Sequence, residues 1–256
     1  MRISSHATIL LIGGVLLHAC STKLTQSEDS AALSIHTYSK SFINIHYVKT
    51  DGKTLLIDCG NVGDSAKIEK YFAEEGLALS EVDYLILTHA HTDHAGNARY
   101  FQERYCMEII AGAGELKMIQ ENGHDPDLCP RGFNGWLISN TLGGRYYRPF
   151  EPDILVEDQF DLSQIGVDGK IVVTPGHTPG SLTTFIKDKA FVGDLITARP
   201  LNQDKPEYHT FMCDLEDNLK DIEMVASEEG IEEWYLGHMG PLAIEDVKKF
   251  IEKENQ

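Results

Sequence analysis

From about Ser34 onward, apolar residues recur in two rhythms, and each predicts a kind of element. Short apolar or alternating runs bounded by turn residues read as strands, here over 43–49, 54–58, 84–87, 171–173, 182–186 and 190–192. Asp51-Gly52 separates the first two and predicts a hairpin turn. Apolar positions three and four apart mark the helices. Ile68, Tyr71 and Phe72 would form the buried stripe of a helix over 64–75, capped by Asp64 and ended at Gly76. Further helices are predicted over 95–104, 215–227 and 244–253. Strand and helix alternate twice and each half closes in helix, which implies helices packed on sheets in layers. A chain of 256 residues has core enough for one large α/β domain or two small ones.

The pattern breaks in two places. Residues 120–150 are rich in glycine and proline and carry Phe133, Trp136, Tyr146 and Tyr147 with Arg131, Arg145 and Arg148. Such a loop either lines a substrate cleft or lies as an ordered flap over the core. At the start, Arg2 precedes an apolar run from Ala7 to Leu17, too short to span a bilayer but suited to the h-region of a secretory signal. It ends in Leu17-His18-Ala19-Cys20, which resembles the lipobox of bacterial lipoproteins, where the cysteine is lipidated and becomes the new N-terminus. The alternative is a plain cleaved signal with an incidental cysteine. On the first reading, 1–20 is the signal, 21–33 a polar tether and 34–256 the working domain. Membrane contact would then run only through the lipid on Cys20, on the periplasmic or cell-surface side.

Export permits disulfides among Cys59, Cys106, Cys129 and Cys213. Cys106 with Cys129 is the preferred pair, whereas Cys59 follows an apolar run and reads as a small buried hydrophobe. Charge changes the list of partners. With 22 basic and 40 acidic residues the formal charge is −18, which repels phosphate backbones and argues against a nucleic-acid partner. A small-molecule substrate is expected instead.

The candidate chemistry lies where strands end. Leu87-Thr88-His89-Ala90-His91-Thr92-Asp93-His94 puts three histidines and an aspartate within six residues after an apolar strand. Crowded imidazoles and carboxylates serve packing poorly, but they are divalent-metal ligands. Thr174-Pro175-Gly176-His177 places a fourth histidine on a rigid loop after a strand. Phe191-Val192-Gly193-Asp194 puts an acid at the end of another strand, where an unpaired carboxylate would be costly. Leu236-Gly237-His238 repeats the design. A lone histidine in such a place is more often structural; four such sites at strand ends point to a metal centre. His124 and His209 read as ordinary loop histidines.

These motifs resemble the metallo-β-lactamase superfamily, from about Ile43 to the C-terminus. The resemblance implies a four-layer αβ/βα sandwich with the site along one edge. It also implies that His89, His91 and His177 bind one metal, that Asp93, His94 and His238 bind a second, and that Asp194 bridges them. Asp58, in Leu-Ile-Asp-Cys-Gly, matches a motif acid that supports the site without binding metal. Two zinc ions per chain are expected, with manganese or iron as alternatives. Asp93 would hold and pass a proton, and Tyr208 lies in the stretch where lactonases of this type place a tyrosine.

The bridging aspartate resembles glyoxalase II-like thioesterases and acylhomoserine lactonases more than true β-lactamases. Only 18 residues follow His238, so the C-terminal glutathione-binding domain of glyoxalase II is not expected. The leading reading is an exported metal-dependent hydrolase of an ester, lactone, thioester or amide. The alternatives are an oxidoreductase resembling the mononuclear iron persulfide dioxygenases, a β-lactamase, or a lipoprotein that holds metal without catalysis.

Overall fold

The computed structural model describes residues 33–40, 42–124, 129–131, 146–212 and 214–256. Six strands build the first sheet in chain order: β1 (Ser34–Lys40), β2 (Ile43–Lys49), β3 (Thr54–Ile57), β4 (Tyr84–Ile86), β5 (Glu108–Gly112) and β6 (Ile154–Val156). The first two pairings are antiparallel and the last three are parallel. Between them come α1 (Ser65–Glu74), α2 (Thr92–Ala95), α3 (Ala98–Tyr105) and α4 (Leu116–Gln120).

The second sheet contains β7 (Gln159–Asp161), β8 (Gly169–Val173), β9 (Leu182–Ile186), β10 (Lys189–Gly193), β13 (Glu233–Leu236) and β14 (Leu242–Ala243). Its order is β14-β13-β10-β9-β8-β7. Strands β10 and β13 run parallel, so the chain must cross over between them, and α5 (Leu215–Ala226) lies in that crossover. A separate hairpin, β11 (Thr197–Arg199) with β12 (Asn202–Glu207), also lies there, and α6 (Ile244–Glu254) closes the fold.

Period-two alternation sorts the side chains into layers. Leu55 and Ile57 of β3 face the second sheet, where they pack with Ile171, Ile186 and Phe191. Leu56, between them, points outward with Tyr47 and Leu85 toward Ile68 and Phe72 of α1 and Phe101 of α3. On the far side, Val192, Trp234 and Leu236 pack against Ile222 and Val225 of α5 and Val247 of α6. These are the four layers of the αβ/βα sandwich. Phe72 is fully buried, so Phe72→Ala would cost roughly 3–5 kcal/mol.

Several elements differ from the expectation. The strand read over 54–58 stops at Ile57, and Asp58 turns out of it with φ 62°. The N-cap of α1 makes no side-chain cap bond: the Asp64 carboxylate pairs with Lys67 at 2.7 Å instead. The helix expected over 95–104 is two helices, broken at Gly96-Asn97. A Cβ on Gly96 would lie 2.4 Å from the backbone of Val62, and the Asn97 amide donates to the carbonyls of Cys59 and Asn61, so this turn is held against the 59–62 loop. Asp214 does cap α5, accepting from the N–H groups of Glu216 and Asp217.

Cys59 is free and buried, and Cys106 and Cys129 are each disulfide-bonded. Cys20, Cys213, Phe133, Trp136 and Arg145 lie outside the described residues. Tyr147 is tucked in, its hydroxyl donating to the Ala90 carbonyl at 2.8 Å, while Tyr146 is exposed beside His124. No helix among the described residues is long and apolar enough to cross a membrane.

Candidate metal centre

Every candidate ligand leaves the end of a strand, and the two sheets bring those ends to one edge. His89, His91, Asp93 and His94 follow β4, His177 follows β8, Asp194 follows β10 and His238 follows β13. Backbone bonds lock the loops across the edge: Leu182 N–H donates to Thr88, Asn44 N–H to Gly237, and Gly237 N–H to Gly193, at 2.7–2.8 Å. The chain must come very close here. A Cβ on Gly237 would lie 2.3 Å from Asp194 Oδ1 and 2.6 Å from His94 Cε1, so only glycine fits between these ligands.

The inward-facing atoms fall into overlapping groups. His89, His91 and His177 form one, with His91 Nδ1 and His177 Nε2 3.1 Å apart. Asp93, His94 and His238 form another, with the Nε2 atoms of His94 and His238 3.3 Å apart. Asp194 Oδ2 lies between them, 3.8 Å from the Nε2 atoms of His89 and His177, 3.5 Å from that of His94 and 3.2 Å from that of His238.

The outer ring nitrogens are anchored, which aims the inner ones. His94 Nδ1 lies 2.8 Å from Asp58 Oδ2. His89 Nδ1 meets the Thr88 hydroxyl, which itself donates to Asp58. His177 Nδ1 faces the Phe211 carbonyl and His238 Nδ1 the Phe42 carbonyl. Asp58 thus orients His94 directly and His89 through Thr88.

Charge and burial complete the donor set. Burial, reinforced by His94 and His177, holds His89 neutral well below its ordinary pKa, and burial with His91 does the same to His177. Burial would raise Asp194, but His209, His238 and His94 outweigh it and hold the carboxyl well below its usual range. His94 and His238 go the other way. Burial opposes their charge, yet Asp194 and its neighbouring acids raise His94 strongly and His238 to about 8. Two buried atoms, His89 Nε2 and Asp194 Oδ1, have no hydrogen-bond partner. Orphaned lone pairs among neutral imidazoles and anionic carboxylates fit a divalent cation, which would satisfy them.

Two residues depart from the expectation. Tyr208 is turned away from this cluster: its ring packs edge-on against Phe250, carries Arg131 on its face, and has Glu254 at its hydroxyl. Its neighbour His209, read as an ordinary loop histidine, is buried beside Asp194 Oδ2 at 3.2 Å. A third residue gave no signal in the sequence. Glu115, on the turn after β5, is buried and accepts from the N–H groups of Ala90 and Gly180 at 2.7 and 2.8 Å. It therefore ties the loop of His89 and His91 to the loop of His177.

Fold and site together define a metal-dependent hydrolase. The chain belongs to the metallo-β-lactamase superfamily, whose family model matches residues 39–227. It is 29% identical over 195 residues to the probable metallo-hydrolase MJ0888 of Methanocaldococcus jannaschii, covering 75% of this chain and 85% of that one. It is 25% identical to glyoxylase B2 of Dictyostelium discoideum over 66% of this chain and 49% of that protein. Among solved structures, the metallo-β-lactamase family protein TTHA1429 of Thermus thermophilus superposes with a TM-score of 0.60 at 21% identity, covering 87% and 77% of the two chains. The subclass B3 metallo-β-lactamase BJP-1 of Bradyrhizobium japonicum gives 0.56 at 17% identity, covering 80% and 74%. At these identities the structural likeness concerns the fold.

Proposed function

We propose that this protein is an exported hydrolase with two divalent ions, zinc foremost, that cleaves an ester, lactone, thioester or amide of a small molecule. The observation that carries this reading is Asp194 Oδ2, which lies within 3.8 Å of the Nε2 atoms of His89 and His177 on one side and of His94 and His238 on the other. When bound, paired ions supply an acidified water for attack and polarise the substrate carbonyl. The chain's own residues do the rest. Asp93, half-buried and held anionic by His94 and His238, is the partly open acid of the set and can take the proton of the attacking water and deliver it to the leaving atom. Asp58, through Thr88 and His94, keeps the ligand rings in one tautomer.

Export and a lipid on Cys20 belong to this proposal, and the disulfide-bonded state of Cys106 and Cys129 supports an oxidising compartment. Elemental analysis of protein purified without chelators tests the core of the reading, followed by turnover of lactone, thioester and β-lactam substrates. About two zinc or manganese ions per chain, with activity lost in Asp194→Ala, is the expected result. A single iron with oxygen uptake would replace it by the dioxygenase reading, and efficient nitrocefin turnover by a β-lactamase.

A further inference from the structure

The ligand set implied by the superfamily resemblance leaves His209 without a task, yet its ring stands inside the cluster. It lies just past β12 on the stretch that carries Phe211, and it is 9% exposed. Its Nε2 is 3.2 Å from Asp194 Oδ2. The ring stands edge-on to His177 with centroids 5.0 Å apart and stacks on His238 at 5.3 Å. The donor atoms of His177, Asp194 and His209 all lie within 4.8 Å of one another.

Its outer nitrogen repeats the anchoring of the other rings. The Phe211 carbonyl that faces His177 Nδ1 at 2.9 Å also lies 3.4 Å from His209 Nδ1. One carbonyl thus orients two imidazoles whose Nε2 atoms both face Asp194. His89, His94 and His238 are likewise held at Nδ1 and turned inward at Nε2. The Phe211 N–H also lies 3.3 Å from His209 Nδ1, so the ring has two available tautomers. With the proton on Nδ1, Nε2 is a free lone pair. With the proton on Nε2, the ring donates to Asp194 and stays out of coordination.

We propose that His209 is a metal ligand through Nε2, joining His177 and Asp194 around the ion held by His89 and His91. This rests on the reading that an ion occupies that group. It gives that ion five protein donors (four imidazoles and one carboxylate), one more than a four-coordinate site holds.

The test uses the full-length protein, stripped and reloaded with cobalt(II), as wild type, His209→Ala and His209→Gln. The glutamine amide can still donate to Asp194 but cannot replace the imidazole. Chelator competition should show both variants losing about a hundredfold or more in affinity for one ion, at the top of or beyond the roughly 10–100-fold that loss of an outer-shell partner costs. The cobalt d–d absorption should strengthen in both as the coordination number falls. Urea unfolding of the stripped forms checks the fold, and if the alanine variant does not fold, the glutamine variant decides. Wild-type affinity and spectrum in folded His209→Gln would overturn the proposal and leave His209 as a donor to Asp194. A wild type that binds no ion would overturn it together with the hydrolase reading, whereas loss of the His209 role alone leaves that reading standing.

Discussion

Removing Glu115 isolates how the centre is held in register. One carboxylate oxygen takes the N–H of Ala90, between His89 and His91; the other takes the N–H of Gly180, three residues past His177. The approach is tight, since a Cβ on Gly112 or Gly114 would meet the backbone of Gly180 or Pro179 at 1.9 and 2.7 Å. Hydrogen bonds to a charged group contribute about 1.5–3 kcal/mol each, so the pair is worth roughly 3–6 kcal/mol to the alignment of the two loops. Glu115→Ala deletes both bonds and leaves two buried N–H groups. Glu115→Gln keeps one acceptor but turns its NH2 toward a second donor, and should keep about half the effect. The apolar layers do not depend on this residue, so the loss should fall on the metal.

We expect Glu115→Ala to weaken binding of the ion at His89, His91 and His177 by about a hundredfold or more, the loss that the lower end of that range converts to, with Glu115→Gln between it and the wild type. Chelator competition at fixed pH measures this, with urea unfolding of the stripped proteins alongside. Affinity of Glu115→Ala within twofold of the wild type would refute the argument. So would a glutamine variant indistinguishable from the parent.

Three further outcomes follow from the same geometry. Gly237→Ala should lose metal while its stripped form keeps its secondary structure by circular dichroism, because the new Cβ falls on Asp194 and His94; retention of a full metal complement would contradict the clash. Metal affinity should rise with pH through about 8, because His238, raised to about 8, and His94, raised strongly as well, carry protons that the ion must displace; calorimetry in buffers of different ionisation enthalpy counts the protons released, and none released at pH 7 would contradict it. Burial lowers His46 from 6.5 to about 4, so between those values the unfolded chain binds a proton that the folded chain refuses. The stability contributed by the neutral ring is therefore complete above pH 6.5 and declines as pH falls toward 4, by about 3 kcal/mol. The urea midpoints of stripped wild type and His46→Gln should converge over that range, and parallel curves would show that His46 does not titrate this way.

The sequence marks the candidate centre because its ligands are polar residues set into apolar runs, where packing offers them no reason to be. The same contrast makes the stripes of α1, α5 and α6 legible. What stays hidden depends on distant contacts. Glu115 reaches Gly180 across 65 residues, and nothing beside it in the chain announces that bond. His209 and Tyr208 are adjacent, and only the path of the backbone past β12 decides which faces Asp194 and which faces Phe250. Strand β1 has only Ile35 and Tyr38 as apolar positions, three apart, and is recognised by its partner β2 rather than by its own pattern. The break at Gly96 is set by the neighbouring 59–62 loop, which a helical periodicity cannot register.

The candidate ligands are divided between the sheets: His89, His91, Asp93 and His94 belong to the first, and His177, Asp194 and His238 to the second. Neither half alone encloses an ion. During synthesis the histidine-rich turn emerges more than eighty residues before its first partner, so a nascent chain can at best hold metal loosely. On the proposed reading, loading is coupled to the docking of one sheet on the other, and bound metal would latch that interface. A latch that binds only the closed form adds about 2.7 kcal/mol of stability at a free metal concentration one hundred times its Kd. Chelation should therefore loosen the seam between the sheets before it disturbs either sheet.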